Sequence, residues 1–242
     1  MKNTKVSNIK HILTEDSPFV IKEAYKATRT NINFTLSSVK GCKVIALTSS
    51  LQNEGKSTTC VNLAISFSQA NNRVLVIDAD MRKRTIHKLV DIENQSGLSN
   101  VLVGFTKLNE IIVHTKYGFD VITSGPTPPN PSELLGSEVM GELIDVLKDH
   151  YDYIFIDTPP VNVVSDALNI ANYVSGYIVV VKNGETTYDD VENIKNKVEL
   201  ANSKILGFIL NATKKHNGYS GYKRYNRYKY YRYTSSYNTD LN

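Results

Sequence analysis

Three short stretches of this chain carry residue types and spacings that suit phosphate chemistry. Residues 43–59 read KVIALTSSLQNEGKSTT, an apolar run (Val44, Ile45, Ala46, Leu47), a polar turn, and then Gly55-Lys56-Ser57 at the head of a helical pattern. A strand, a tight loop and a helix in that order turn backbone N–H groups and the positive end of a helix dipole toward one pocket. A lysine placed there reaches β- and γ-phosphates, and the adjacent serine hydroxyl can ligate Mg²⁺. Ser50, Asn53, Glu54, Gly55, Lys56, Ser57 and Thr58 are the residues assigned to this pocket. Ser50 stands where the common G-x-x-x-x-G-K-[ST] pattern has its first glycine, so on the loop alone an ordinary polar turn remains open.

Two further stretches narrow that choice. Residues 74–82, VLVIDADMR, form an apolar run ending in Asp78 and Asp80, and residues 151–160, YDYIFIDTPP, form another ending in Asp157. Carboxylates at the carboxyl ends of apolar strands sit where ligands bind in a parallel α/β sheet. With Lys56 and Ser57, these aspartates make a nucleotide-Mg²⁺ site. Arg82, Lys83 and Arg84 follow at the rim, and Arg82 is assigned to the γ-phosphate, with solvated surface as the plain alternative. Asn211 ends the last apolar run and can pair with an adenine edge through its amide; a simple turn residue is the alternative. His87 and His114 lack partners of matching spacing and are incidental.

The rest of the chain must position these groups. With 242 residues and 41% hydrophobic content, it suits one domain whose core needs no disulfides. Cys42 and Cys60 have no metal-ligand spacing and read as reduced core residues, which fits a cytoplasmic location. Neither a signal peptide nor an apolar run of membrane-spanning length is present, so any membrane association is expected to be peripheral. Residues 1–16 read as a flexible lead-in. Residues 17–38 read as a helix opened by Pro18, with Phe19, Ile21, Tyr25, Ile32 and Phe34 as its apolar positions. Glu23, Lys26 and Arg29 form a charged stripe along it, either a solvated face or an oligomer contact.

From residue 43 onward strand and helix alternate. Helices are expected at 57–70, 97–104, 108–113, 138–148 and 188–201, a short one from Ser165, and strands at 119–123, 176–182 and 204–211 besides those above. Between them, residues 124–135 (SGPTPPNPSELL) hold Pro126, Pro128, Pro129 and Pro131, which exclude regular structure there until Ser132 and Glu133 begin the next helix. The alternation predicts an α/β domain over residues 17–212, a mostly parallel central sheet with helices on both faces. The phosphate loop makes it a P-loop NTPase.

Composition changes at Thr213. Residues 213–242 have almost no aliphatic content; Tyr219, Tyr222, Tyr225, Tyr228, Tyr230, Tyr231, Tyr233 and Tyr237 alternate with Lys223, Arg224, Arg227, Lys229 and Arg232. Such a segment buries too little apolar area to offset its ordering entropy and is expected to be disordered. Composition alone leaves open a nucleic-acid arm, a membrane-surface segment, a cluster of phosphate acceptors and a functionless tail.

Taken together, TSSLQNEGKST, VLVIDADMRKR, SGPTPPNPSELLGSE, YDYIFIDTPPVNVVSDA and the terminal tyrosine cluster resemble the bacterial tyrosine kinases of capsule and exopolysaccharide synthesis, of the cytoplasmic CpsD and CapB type. The resemblance runs from about residue 17 to the end. It implies a Walker A loop around Lys56 and Ser57, a Walker A′ motif at Asp78 and Asp80, and a Walker B aspartate at Asp157. By the same resemblance, ATP and Mg²⁺ are the cofactors and the tail tyrosines are phosphorylated in trans by a neighbouring subunit. The family's E-x-x-R-x-x-R-x-N pattern, tied to ring assembly, appears as Glu23, Lys26, Arg29 and Asn31, with a lysine where the family has an arginine. Where the family loop has proline and glycine, this chain has Gln52 and Asn53; asparagine tolerates the positive φ such a loop needs. The implied partners are other copies of the chain in a ring and a membrane-anchored chain-length-regulator adaptor that activates the kinase, placing it at the inner face of the plasma membrane. No nucleic-acid partner is expected. The alternative is an ATPase that positions cargo, like the septum-site and plasmid-partition proteins, but Leu51 occupies the place of their signature lysine.

Overall fold

A computed structural model describes residues 11–212. Within them seven strands form one sheet in the order β3-β4-β2-β5-β1-β6-β7. These are β1 (Lys43–Ser49), β2 (Val74–Asp78), β3 (Ile112–His114), β4 (Asp120–Ile122), β5 (Tyr153–Asp157), β6 (Gly176–Lys182) and β7 (Ile205–Asn211). Every pair is parallel except β3 with β4. The central strands are apolar on both faces because helices cover both. Along β1, Val44 and Ala46 join a core with Met140, Leu143, Ile144 and Leu147 of α3 (Glu138–Lys148) and Ile194 and Val198 of α4 (Tyr188–Leu200). Ile45 and Leu47 point the other way, into a second core with Val61, Leu63, Ala64 and Phe67 of α2 (Lys56–Ser68). This two-residue alternation is the strand's own geometry, and it matches the expected two-layered wrapping of the sheet.

The sequence reading is corrected at the 108–113 helix, in the lead-in and on the apolar face of the N-terminal helix. The short helix expected at 108–113 is a single 3₁₀ turn at Leu108–Glu110 followed by β3, the antiparallel edge strand. The β-branched Ile112 and Val113 suit a strand better than a helix, and His114 Nδ1 meets Asp120 Oδ1 across the pair at 2.7 Å. The proline-dense stretch is irregular to Asn130, and the helix expected from Ser132 and Glu133 is the one-turn helix Pro131–Leu135, opened by Pro131 at a position where a missing N–H costs nothing. The lead-in, expected to be flexible, is packed at its described end. Ile12 and Leu13 are buried. Asn62 of α2 accepts from the Leu13 N–H at 2.7 Å and donates to the His11 carbonyl at 2.9 Å and the Tyr25 hydroxyl at 3.0 Å. Residues 1–10 lie outside the described residues.

The N-terminal helix, α1 (Phe19–Thr35), lies over α2 and buries only Ile32 fully. Phe19, Ile21 and Phe34, expected on its apolar side, are exposed, Phe34 to 74%. Ile32 and the half-buried Tyr25 pack on the second core, and polar bonds add to them. Arg29 donates to the carbonyl and hydroxyl of Ser66 on α2, and Tyr153 donates its hydroxyl to Asn33 at 2.9 Å.

Asn62 therefore closes three hydrogen bonds in a buried position. Asn62→Ala should cost roughly 1–3 kcal/mol of unfolding free energy through the unpaired Leu13 N–H and His11 carbonyl, read from the urea midpoint. The Leu13 amide should lose hydrogen-exchange protection in the same variant.

Candidate active site

The carboxyl ends of β1, β2 and β5 lie side by side in the middle of the sheet, and the register sets Asp78 of β2 beside Asp157 of β5 and Asp157 beside Leu47 of β1. The loop leaving β1 opens directly onto that row. Two residues turn it through left-handed backbone, Asn53 at φ 64° and Gly55 at φ 92°, conformations that asparagine tolerates and glycine adopts freely. Asn53 thus behaves as its residue type predicts.

Lys56, the first residue of α2, is buried with its ammonium among carboxylates. Its Nζ lies 2.9 Å from Asp80 Oδ2, 3.5 Å from Asp157 Oδ1 and 3.3 Å from the Ser57 hydroxyl. Burial works against its charge, but Asp157 and Asp80 outweigh that and hold Lys56 above the ordinary lysine value. The structure thus brings together Lys56, Ser57, Asp80 and Asp157, four of the residues singled out in the sequence.

Asp78 sits in the same row but faces its own backbone. Its two oxygens accept the N–H groups of Asp80 and Ile86, each at 3.2 Å. Burial first, and then the neighbouring Asp157, pushes its carboxyl well above the usual range. Burial also raises Asp157, with Lys56 and the Ser57 hydroxyl pulling partly back. Among the described residues Asp157 Oδ2 is buried without a hydrogen-bond partner.

That free oxygen and the Ser57 hydroxyl form an all-oxygen donor set suited to a hard divalent cation. Mg²⁺ in such sites takes one or two protein oxygens and completes its octahedron from phosphates and water. The residues present fit that arrangement. No group of three or more His, Cys, Asp or Glu converges as a metal cage among the described residues.

The remaining assigned residues divide. Ser50 is buried and accepts from the Asn162 amide at 3.2 Å, and Thr58 lies half-buried on the first turn of α2. Glu54 engages its carboxylate within the fold, accepting the Leu51 N–H at 2.8 Å and the Thr186 hydroxyl. It shapes the loop. Arg82 is not free to meet a γ-phosphate, because it forms a two-pronged pair with Asp166 at 2.7 and 3.1 Å. Asp166 also accepts from Ser132 at 2.5 Å; burial opposes its charge, yet Arg82 and Ser132 hold its carboxyl below the usual range. The rim cation at the loop is Lys83, whose Nζ donates to Asn53 Oδ1 at 2.7 Å. Asn211 donates its amide to the Glu54 carbonyl at 2.9 Å instead of presenting it to a base. Arg29 is spent on Ser66, and Glu23 and Lys26 pair with each other at 2.8 Å. The eight tyrosines Tyr219, Tyr222, Tyr225, Tyr228, Tyr230, Tyr231, Tyr233 and Tyr237 lie outside the described residues.

Sequence reasoning missed Asp166, Ser132, Asn162 and Thr186 as partners of the site. Their partners lie 34 to 132 residues away along the chain, and no spacing announces such pairs. The thiols take no part: burial pushes Cys42 up to about 11 and Cys60 well above the ordinary value.

A family model described as an AAA domain matches residues 42–209. Among curated proteins the chain is 37% identical over 209 residues to the putative tyrosine-protein kinase CapB of Staphylococcus aureus, covering 86% of this chain and 91% of that one. It is 40% identical over 200 residues to the tyrosine-protein kinase YwqD of Bacillus subtilis, covering 81% and 84%. The solved kinase domain of Escherichia coli tyrosine kinase ETK superposes with a TM-score of 0.79 at 35% identity, covering 89% of this chain and 88% of that one.

The raised carboxyls of Asp78 and Asp157 have a consequence for pH. An acid whose folded pKa lies above its unfolded one binds more protons when folded, so its burial costs nothing below the ordinary carboxylate range and costs progressively more as pH rises through it. In the ligand-free protein, Asp157→Asn should therefore melt above wild type at pH 8, with the gain shrinking toward pH 4. The opposite trend in a calorimetric pH series would show that Lys56 fully compensates the Asp157 charge.

Proposed function

The chain belongs to the bacterial protein-tyrosine kinase family, and from that premise we propose that it transfers the γ-phosphate of ATP to protein tyrosines, including its own Tyr219–Tyr237 cluster, in the control of capsular or exopolysaccharide synthesis. The observation that carries this reading is the Lys56 ammonium held between Asp80 and Asp157 beside a loop closed by left-handed Asn53 and Gly55. Phosphates entering that loop would meet Lys56 and the backbone N–H groups at the head of α2. Ser57 and the free Asp157 oxygen would hold Mg²⁺, which when bound neutralises charge on the β- and γ-phosphoryl groups. Transfer then rests on positioning and charge neutralisation.

The two A′ aspartates take different roles. Asp78 has both oxygens occupied by backbone N–H groups, so it fixes the turn that presents Asp80. Asp80 keeps one oxygen on the Lys83 N–H at 2.9 Å and the other on Lys56. When Lys56 swings to a phosphate, that second oxygen becomes free to accept the proton of an incoming tyrosine.

The acceptor segment is residues 213–242, reached in trans from a neighbouring copy, with residues 17–212 as the kinase domain. Glu23 and Lys26, with exposed Phe19, Val20 and Ile21 on the same helix, offer a face for that self-contact. No helix among the described residues is long and apolar enough to cross a membrane, and placement at the inner face of the plasma membrane would come from a membrane-anchored adaptor of the chain-length-regulator kind.

Intact mass before and after incubation with Mg²⁺-ATP, with and without an adaptor peptide, tests this directly. Wild type should gain several phosphates that map to the tyrosine cluster. Lys56→Met should lose at least about 100-fold in rate, and a truncation before Tyr219 should gain none in the cluster region. ATP turnover without added mass under either condition would sink the kinase reading.

A further inference from the structure

We infer that Asn211 is a positioning residue: from the edge of the sheet it holds the phosphate loop in its binding shape, independently of which base the nucleotide carries. This rests on the nucleotide reading above and deepens it. Asn211 is the last residue of β7, paired in register with Lys182 at the end of β6. Its Nδ2 donates to the Glu54 carbonyl at 2.9 Å. Its Oδ1 accepts the Ala212 N–H at 2.8 Å, so both ends of the amide are engaged and its orientation is fixed.

The contact with the next residue is closer still. A Cβ built on Gly55 would fall 2.0 Å from Asn211 Nδ2 and 3.3 Å from its Cγ. The amide therefore fills the space that any side chain at position 55 would need. The peptide between Glu54 and Gly55 is planar and trans, so its carbonyl and N–H point in opposite directions. Anchoring the carbonyl to Asn211 aims the Gly55 N–H away from β7, where a phosphate oxygen would meet it.

A second strut reaches the loop from the neighbouring strand. The Glu54 carboxylate holds the Leu51 N–H and the Thr186 hydroxyl, and the Thr186 hydroxyl accepts the Lys182 N–H at 2.8 Å. Lys182 and Asn211 are register partners, so both struts rise from the paired ends of β6 and β7.

The test is binding of ATP, GTP and inorganic triphosphate, each with Mg²⁺, to full-length wild type, Asn211→Asp and Asn211→Ala. Asn211→Asp keeps the volume but replaces the donor with a carboxylate facing a carbonyl. Both variants should bind every ligand that wild type binds about tenfold more weakly. Without any ligand, the Gly55 and Lys56 amides should exchange faster in both variants while the melting temperature moves little. A loss confined to ATP would overturn the inference and return Asn211 to the adenine, and unchanged binding or unchanged exchange at Gly55 would overturn it outright. Wild type that binds none of the three would overturn the nucleotide reading itself, a result separate from any effect of the variants.

Discussion

Everything at this site depends on one buried ammonium. Lys56 stands among Asp78, Asp80 and Asp157, all three nearly or wholly inaccessible to water. Three carboxylates at the ends of adjacent parallel strands would repel one another and each pay for desolvation. Lys56 makes the cluster tolerable without satisfying it, as the raised carboxyls of Asp78 and Asp157 and the orphaned Asp157 oxygen show. A buried charge cluster is weak evidence for stability. What it offers instead is an unpartnered carboxylate oxygen beside a lysine held between two anions.

The loop beside it is held by a different principle. Left-handed backbone at Asn53 and Gly55 gives the loop its tight turn. Glu54 supplies the restraint, with its carboxylate tied to Leu51 and Thr186 and its carbonyl to Asn211. An acidic side chain in a phosphate-binding loop is unexpected on charge alone. Its burial and its bonds to Leu51 and Thr186 remove the conflict.

Much of this was legible in the sequence because it is local. Apolar runs of five to seven residues ending in Asp78, in Asp157 or in the polar loop announced buried parallel strands, and those strand ends carry the site. Local pattern also set α3 and α4 to within a residue. Partnership across the fold was not legible. Arg82 looked like a phosphate ligand because it sits at the rim, but Asp166, 84 residues on, takes its guanidinium. Arg29 looked like part of a solvated stripe or an oligomer contact, and Ser66 takes it. The packed lead-in was missed because residues 1–16 hold only a few apolar positions, and what covers Ile12 and Leu13 lies far along the chain. Their burial depends on Asn62, about fifty residues away.

The committed cations leave an electrostatic asymmetry with its own logic. The last thirty residues hold seven Lys and Arg against one Asp, a charge of +6 in a chain of +4, so residues 1–212 carry −2. Within the described part, Lys56, Arg82 and Arg29 are already engaged by the fold. Under the kinase reading, opposite net charges favour the approach of a basic, tyrosine-rich segment to the acidic kinase domain of another copy. Each phosphotyrosine adds about −1.5 to −2 charges, so three or four modifications among the eight tyrosines suffice to cancel the +6. Under the kinase reading the reaction consumes the attraction that brings its substrate to the site, and phosphorylation would slow itself well before the cluster is full.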